Sequence, residues 1–166
     1  MESSLYVHIP FCVKKCIYCD FVSYSGREHM QEAYVNALLA EMRLCGGDAL
    51  RTVYIGGGTP TCIKTGLLSR VLEGIDKFFD TTHCIERTVE ANPGTLSQEV
   101  LAVLREGGIN RLSIGLQSWH PAELRTLGRI HDRGSFLQGF DGAREAGFDN
   151  INIDLIFGIP GQTMGS

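Results

Sequence analysis

The sequence predicts an α/β fold with a parallel sheet of about five strands and crossover helices. Short runs rich in β-branched residues recur along the 166 residues, and each is followed by a glycine-rich or polar loop and then by an amphipathic helical pattern. Strands that alternate with helices in this way favour right-handed crossovers, which make neighbouring strands parallel. The chain has the length of one domain and can bury a core without disulfides or metal.

The predicted strands combine valine, isoleucine and leucine with bounding glycine, proline or asparagine, as strands of a buried sheet do. Each stands before a loop that leads into a helical pattern. In chain order, the five strands are Leu5 to Ile9, Thr52 to Ile55, Arg87 to Ala91, Arg111 to Ile114 and Ile151 to Phe157.

Helical patterns fill the intervals between these strands, with apolar residues recurring at a period of about 3.6. Gly107 and Gly108 end a short third helix, since glycine readily adopts the left-handed conformation that follows a helix. Pro121 suits the first turn of a short helix to Leu127, and Gly147 ends the last one. The apolar positions are Met30, Ala33, Tyr34, Ala37 and Leu38, then Leu68, Val71, Leu72, Ile75, Phe78 and Phe79, then Val100, Leu101 and Leu104, and finally Phe136, Leu137, Phe140 and Ala143.

Composition limits the classes of partner. The net charge is -4 and lysine and arginine are scattered, so no basic stripe favours nucleic acid. No apolar run approaches the ~20 residues of a membrane span. Nothing resembling a signal peptide precedes Leu5, which predicts reduced thiols and a cytoplasmic location. A small molecule is the partner that we expect.

Three cysteines, Cys12, Cys16 and Cys19, follow the first predicted strand within eight residues. Their C-x3-C-x2-C spacing offers three thiolates, one fewer than the four that hold an ordinary iron-sulfur cluster or close a structural zinc site. One metal position would stay open for a small molecule.

Other interpretations of this spacing remain. The three positions would also share one face of a helix, but Pro10 and the charged pair Lys14 and Lys15 favour a loop. A zinc site would need a distant fourth ligand. A disulfide framework is disfavoured because the composition can build an ordinary core. The remaining cysteines, Cys45, Cys62 and Cys84, lack the paired spacing that zinc ribbons show.

Parallel sheets bind ligands at the carboxyl ends of their strands, and the unusual residues of this chain lie at those ends. Three consecutive glycines after the second strand either form a flexible turn or let a ligand approach the backbone closely. Glu90 either binds ribose hydroxyls or is a solvated or salt-bridged acid. The residues at this rim are Cys12, Cys16, Cys19, Gly56, Gly57, Gly58, Glu90, Asn92, Gln117 and Asp154.

Several motifs in a fixed order resemble the radical S-adenosylmethionine (SAM) proteins related to oxygen-independent coproporphyrinogen III oxidase. The resemblance runs from about Leu5 to Thr163. It rests on Tyr6-Val-His-Ile-Pro-Phe-Cys12 with the three cysteines, Gly56-Gly-Gly-Thr-Pro-Thr61, Glu90, Arg111-Leu-Ser-Ile-Gly-Leu-Gln117 and Asn152-Ile-Asp-Leu-Ile-Phe-Gly-Ile-Pro160.

The resemblance implies a partial (β/α) barrel and two cofactors. The three cysteines would bind three irons of a [4Fe-4S] cluster, and SAM would chelate the fourth. A one-electron donor would reduce the cluster, and cleavage of SAM would yield a radical that abstracts hydrogen from substrate. Tyr18 could stack on adenine or pack in the core. The positions that match cofactor contacts in the family are Tyr6, Gly57, Gly58, Thr59, Glu90, Gln117, Arg129 and Asp154.

One departure from the family pattern concerns the residue after Asp20. The oxidases carry a further cysteine where this chain has Phe21, and Cys19-Asp-Phe21 resembles the branch of haem chaperones, which bind haem and hand it to acceptor proteins. Haem transfer is therefore the expected function. Oxidative decarboxylation of coproporphyrinogen III is the alternative, and a zinc-stabilised domain without radical chemistry is a further one.

A second departure concerns length. Family members are considerably longer, and the helix expected after the fifth strand would begin where this sequence stops. We expect residues 1–166 to be the N-terminal part of a radical SAM core domain, without the rest of the barrel and without a C-terminal domain. The last strand would then expose an apolar face that parallel sheets normally cover.

Overall fold

The computed structural model of the chain describes residues 3–163 and 165. Within them, five strands form one parallel sheet and two strands of two residues each form a separate parallel pair. The strands are β1 (Ser3–Ile9), β2 (Phe11–Cys12), β3 (Tyr24–Ser25), β4 (Leu50–Gly57), β5 (Glu86–Ala91), β6 (Arg111–Gln117) and β7 (Asn150–Leu155). The sheet order is β1-β4-β5-β6-β7, so the predicted α/β class and parallel sheet are confirmed.

The helices follow the predicted order, and each α-helix lies in an interval where a helical pattern was found. Short 3-10 helices at Glu28–Met30, Pro60–Cys62 and Pro93–Thr95 stand in three of the loops. The α-helices are α1 (Gln31–Cys45), α2 (Thr65–Phe78), α3 (Gln98–Glu106), α4 (Pro121–Thr126) and α5 (Arg133–Glu145).

Some predicted boundaries were wrong. Phe79 and Leu127 each follow the helix that was expected to contain them, and Met30 belongs to the turn before α1. The last strand ends at Leu155 rather than Phe157. Its neighbour β6 ends at Gln117, whose carbonyl accepts a hydrogen bond from the Ile156 amide, so no further strand pairing is available beyond that point.

The two faces of the sheet differ in chemistry because alternate residues of a strand point to opposite faces. One face packs against the helices and forms the core, with pairs such as Val7 and Ile9 of β1 almost completely buried. Between such apolar pairs stand polar residues, for example Tyr54, Glu90 and Ser113, which therefore point to the opposite face. The helices thus leave a polar face of the sheet for the site.

The apolar face of β7 is largely uncovered. Leu155 has 66% of its surface exposed, and Phe157, just after the strand, has 94% exposed. None of the helices in residues 3–163 is both long and apolar enough to cross a membrane.

Candidate functional site

A cavity of about 360 Å³ lies at the carboxyl ends of the sheet strands. On one side it is lined by the loop from β2 to β3 that carries the three cysteines, called the cysteine loop below. On the other side it is lined by residues from β4 to β7 and by the loop after α4. Of the predicted site residues, it brings together Cys12, Cys16, Cys19, Tyr18, Gly57, Gly58, Thr59, Glu90, Gln117, Arg129 and Asp154.

The cysteine loop is irregular and is held at both ends. β2 begins the loop and pairs with β3 after it, and the Tyr24 amide donates to the Pro10 carbonyl at 2.8 Å. In the middle, the Ile17 amide donates to the carbonyl of Leu127, after α4, at 3.1 Å. Residues 12–19 therefore do not form a helix, which removes the interpretation of three cysteines on one helix face.

The cysteines are free thiols with partly exposed side chains. Among residues 3–163 and 165, no three His, Cys, Asp or Glu side chains are grouped as ligands of one metal ion. A [4Fe-4S] cluster does not need such a grouping, because each cysteine binds a different iron of the cluster. Three thiols on one loop that all line a single cavity are a donor set that fits the cluster.

The glycine loop, Gly56-Gly-Gly-Thr-Pro-Thr61, approaches the cysteine loop so closely that a side chain at position 58 would not fit. The Gly58 amide donates to the Ile9 carbonyl at 2.9 Å, and the Thr59 amide donates to the Phe11 carbonyl at 2.7 Å. A Cβ atom on Gly58 would lie 2.5 Å from the Phe11 oxygen and 3.0 Å from the sulfur of Cys12. Close backbone packing therefore explains Gly58, and the flexible-turn interpretation does not hold there.

Glu90 is held at the cavity wall by two donors. Its Oε1 accepts from the Tyr54 hydroxyl at 2.8 Å, and its Oε2 accepts from the Gly57 amide at 3.0 Å. Burial and the hydrogen bond to Glu90 raise the pKa of Tyr54. Glu90 is thus a fixed carboxylate at the end of β5, with acceptor capacity left on each oxygen.

Asp154 lies at the same wall within a network of neutral donors. The Ser113 hydroxyl donates to its Oδ2 at 3.1 Å, and the Asn152 amide donates to its Oδ1 at 2.7 Å. Tyr54 and Ser113 were absent from the predicted set, although both line the cavity. The sequence pattern that could have identified them is a polar residue between two apolar strand residues, as in Val53-Tyr54-Ile55.

The end of β6 has an unusual backbone. Gln117 has φ of 68°, a left-handed conformation that is uncommon for residues other than glycine. The strand register also shifts between Gly115 and Gln117, as at a β-bulge. A Cβ atom on Gly115 would lie 2.8 Å from Gln117 Nε2, so the Gln117 side chain lies close over Gly115. Backbone strain of this kind clusters at ligand-binding sites.

Arg129 connects three parts of the rim. One terminal nitrogen, Nη2, donates to Asn92 Oδ1 and to the Gly115 carbonyl, each at 2.5 Å. The other, Nη1, lies 3.4 Å from the sulfur of Cys16. Asn92 also donates to the Thr59 hydroxyl at 2.9 Å. These contacts fix Arg129 in the wall of the cavity.

Tyr18 stands beside this arginine in the cavity wall. Burial raises the pKa of Tyr18 to about 12, with the Arg129 charge acting in the opposite direction and Cys16 adding to the increase. The hydroxyl is therefore neutral at physiological pH. Tyr18 is 43% exposed, which leaves aromatic surface for contact with a planar ligand.

Tyr6 is the predicted contact that does not line the cavity. Its side chain is 56% exposed, its ring stacks on Tyr54 with centroids 6.1 Å apart, and its hydroxyl bonds His8 Nδ1 at 3.1 Å. The other ring nitrogen of His8 bonds the Val22 carbonyl at 2.8 Å. His8 therefore connects β1 to the far end of the cysteine loop. Tyr6 is linked to the site only indirectly, through its contacts with Tyr54 and His8.

Comparison with known proteins gives a consistent result. The family model described as the radical SAM superfamily matches residues 6–166. Heme chaperone HemW of Lactococcus lactis subsp. lactis (strain IL1403) is 43% identical over 162 residues, which are 98% of this chain and 43% of that protein. Heme chaperone HemW of Bacillus subtilis (strain 168) is 42% identical over 166 residues, with 97% and 44% covered.

Among solved structures, coproporphyrinogen III oxidase (HemN) from Escherichia coli superposes with a TM-score of 0.87 at 36% identity. The match covers 96% of this chain and 38% of that protein. The chain thus spans less than half the length of the relatives that it matches.

Proposed function

The chain belongs to the radical SAM superfamily, and on that basis we propose that it holds a [4Fe-4S] cluster on Cys12, Cys16 and Cys19 and binds SAM in the adjoining cavity. The observation that carries the proposal is the single cavity that these cysteines share with Glu90, Gln117, Arg129 and Asp154. When bound, the cluster supplies the low-potential electron that cleaves SAM to methionine and a 5'-deoxyadenosyl radical.

Residues of opposite charge would bind different groups of SAM. The guanidinium of Arg129 suits a carboxylate, and its buried Nε has no hydrogen-bond partner among residues 3–163 and 165. Glu90 and Asp154 are fixed acceptors suited to ribose hydroxyls or an amino group. The glycine loop lets a ligand approach the backbone, and Tyr18 offers a ring face for adenine.

We propose haem binding and transfer as the function of the whole protein of which this fold forms part. One support is that relatives named heme chaperone match nearly all of this chain. The other is Phe21, which lines the cavity and stands where the oxidases of the resembled family carry a further cysteine. The proposed partners are haem, a one-electron donor protein and a haem-acceptor protein, with a cytoplasmic location. Residues 1–166 would form the N-terminal part of the core domain.

Coproporphyrinogen oxidation is the second candidate, because the HemN structure superposes closely on this chain. A haem titration and a porphyrinogen assay under strong reductant separate the two functions, with the full-length Bacillus subtilis relative as the control. We expect the haem Soret band to shift without formation of vinyl products. Vinyl products from coproporphyrinogen III, with no haem binding by either protein, would favour the oxidase.

The zinc alternative is tested by the metal itself. Anaerobic reconstitution with iron and sulfide should yield the broad visible absorption of a [4Fe-4S] cluster and about four irons per chain. Zinc retained without such absorption would exclude the cluster.

A further inference from the structure

We propose that Arg129 raises the reduction potential of the cluster by donating a charge-assisted hydrogen bond to the sulfur of Cys16. This inference rests on the proposed cluster and goes beyond it, because it gives Arg129 a role toward the cluster even when SAM is absent. The contact that supports this inference joins Arg129 Nη1 to the Cys16 sulfur at 3.4 Å, which is within the range of hydrogen bonds to sulfur.

The guanidinium is fixed so that its charged edge faces the sulfur. Nη2 uses both of its hydrogens on the Asn92 side chain and the Gly115 carbonyl. Asn92 directly follows β5 and Gly115 lies within β6, so both acceptors are positioned by the sheet. The guanidinium is planar, so these two contacts also orient Nη1 toward the cysteine loop.

Among the residues that the structure describes, the charge of Arg129 has no counter-ion. Within residues 3–163 and 165, the ion pairs involve Arg87 with Asp76 and Arg111 with Glu86, and no carboxylate pairs with Arg129. Its other hydrogen-bond partners are neutral, and its Nε is buried with no partner in the described part of the chain. A positive charge without a paired carboxylate favours negative charge on a neighbouring thiolate.

The cysteine loop is held against the segment that carries Arg129, so the contact does not depend on one flexible side chain. The Ile17 amide donates to the Leu127 carbonyl, and Gly128 has φ of +74°. A Cβ atom on Gly128 would lie 2.9 Å from the Ile17 side chain. The Ile17–Leu127 backbone hydrogen bond and the close approach of Gly128 to the Ile17 side chain thus keep Cys16 and Arg129 adjacent.

The sign of the effect follows from electrostatics. Reduction adds one negative charge to the cluster and its thiolates, and a nearby cation stabilises the reduced form. Hydrogen bonds to the sulfurs act in the same direction and are a known control of cluster potentials. Removal of the Arg129 charge should therefore make the cluster harder to reduce.

The test is a redox titration of the reconstituted chain, followed by electron paramagnetic resonance in the absence of SAM. At the potential where half of the unaltered cluster is reduced, Arg129→Gln should show at least a tenfold lower ratio of reduced to oxidised cluster, a shift of about 59 mV for one electron. Arg129→Lys, which keeps the charge without the fork, should lie between the two. Arg133→Gln is the matched control, since the exposed Arg133 stacks on Trp119 and its loss removes the same charge.

Iron content separates failure of this inference from failure of the proposed cluster. Full iron content with an unchanged midpoint in Arg129→Gln would overturn the inference and leave the cluster in place. An equal shift in Arg133→Gln would also overturn it, because the effect would then be one of net charge. Loss of the cluster in both Arg129 variants would show that Arg129 builds the loop rather than tunes the potential. Absence of a cluster in the unaltered chain would contradict the proposed function itself.

Discussion

His131 provides a test of the fold around the site that needs no cofactor. Its side chain is 7% exposed on the connection between α4 and α5, and Nε2 donates to the Leu116 carbonyl at 3.1 Å. Burial lowers the pKa of His131 to about 4 from its ordinary 6.5, and the positive charge of Arg129 adds to the decrease. The folded chain therefore keeps this imidazole neutral where an unfolded chain would protonate it.

The stability consequence follows from proton linkage. Between pH 6.5 and about 4 the unfolded chain binds a proton at His131 that the folded chain does not, so the contribution of His131 is present above pH 6.5 and is lost as the pH falls. At pH 5 the difference is about 2 kcal/mol, and across the whole window it is at most about 3 kcal/mol. The nearby Asp132, whose pKa is lowered by its hydrogen bonds to Ser135, loses its contribution at lower pH.

The assay compares urea unfolding at pH 7 and pH 5 for the unaltered chain and for His131→Gln, which keeps an amide donor for the Leu116 carbonyl. The unaltered chain should lose about 2 kcal/mol more than the variant between the two pH values. Other histidines contribute equally to both proteins and cancel in the comparison. Losses that agree within about 0.5 kcal/mol would refute the burial of a neutral His131.

Three further predictions concern the cysteine loop, helix α3 and the proposed SAM site. Cys16→Ala should abolish iron incorporation while Cys45→Ala, on an exposed cysteine, leaves it intact; equal iron content would overturn the ligand assignment. Ser97→Ala removes the cap that accepts from the Val100 amide at 3.2 Å, and urea unfolding should show a loss of about 1 kcal/mol. Glu90→Gln should weaken SAM binding at least about tenfold by equilibrium dialysis at unchanged iron content, because hydrogen bonds to a charged acceptor contribute about 1.5–3 kcal/mol; unaltered affinity would remove Glu90 from the site.

The strand and helix order was predictable because each element carries a local signal. Val7 and Ile9 alternate with exposed residues in β1, and α2 keeps one apolar face over its whole length. The rim was predictable for a different reason, since parallel strands bring their carboxyl ends to one edge. Residues distant in sequence, such as Gly58 and Glu90, could therefore be placed together before any contact was known.

The missed cavity residues show where pattern reasoning was incomplete. Tyr54 stands between Val53 and Ile55, and Ser113 stands between Leu112 and Ile114, so alternation already placed both on the face opposite the core. That face is also the face of Glu90. A search for polar residues between buried pairs would have found them.

Other features depend on contacts that no local pattern encodes. The contact of Arg129 with Cys16 joins residues 113 positions apart, and its geometry depends on Asn92, after β5, and on Gly115 of β6. The left-handed backbone of Gln117 likewise arises where β6 shifts register against β7. The place of Tyr6 outside the cavity follows from its packing on Tyr54 and His8, which the motif alone did not show.

The most direct test of the central claim is the electron paramagnetic resonance spectrum of the reconstituted and reduced chain, recorded with and without SAM. An open iron beside Cys12, Cys16 and Cys19 predicts a [4Fe-4S] signal whose g-values change when SAM binds, and Cys16→Ala should lack that signal. A cluster signal that SAM leaves unchanged, or a chain that keeps zinc and forms no cluster, would contradict the account.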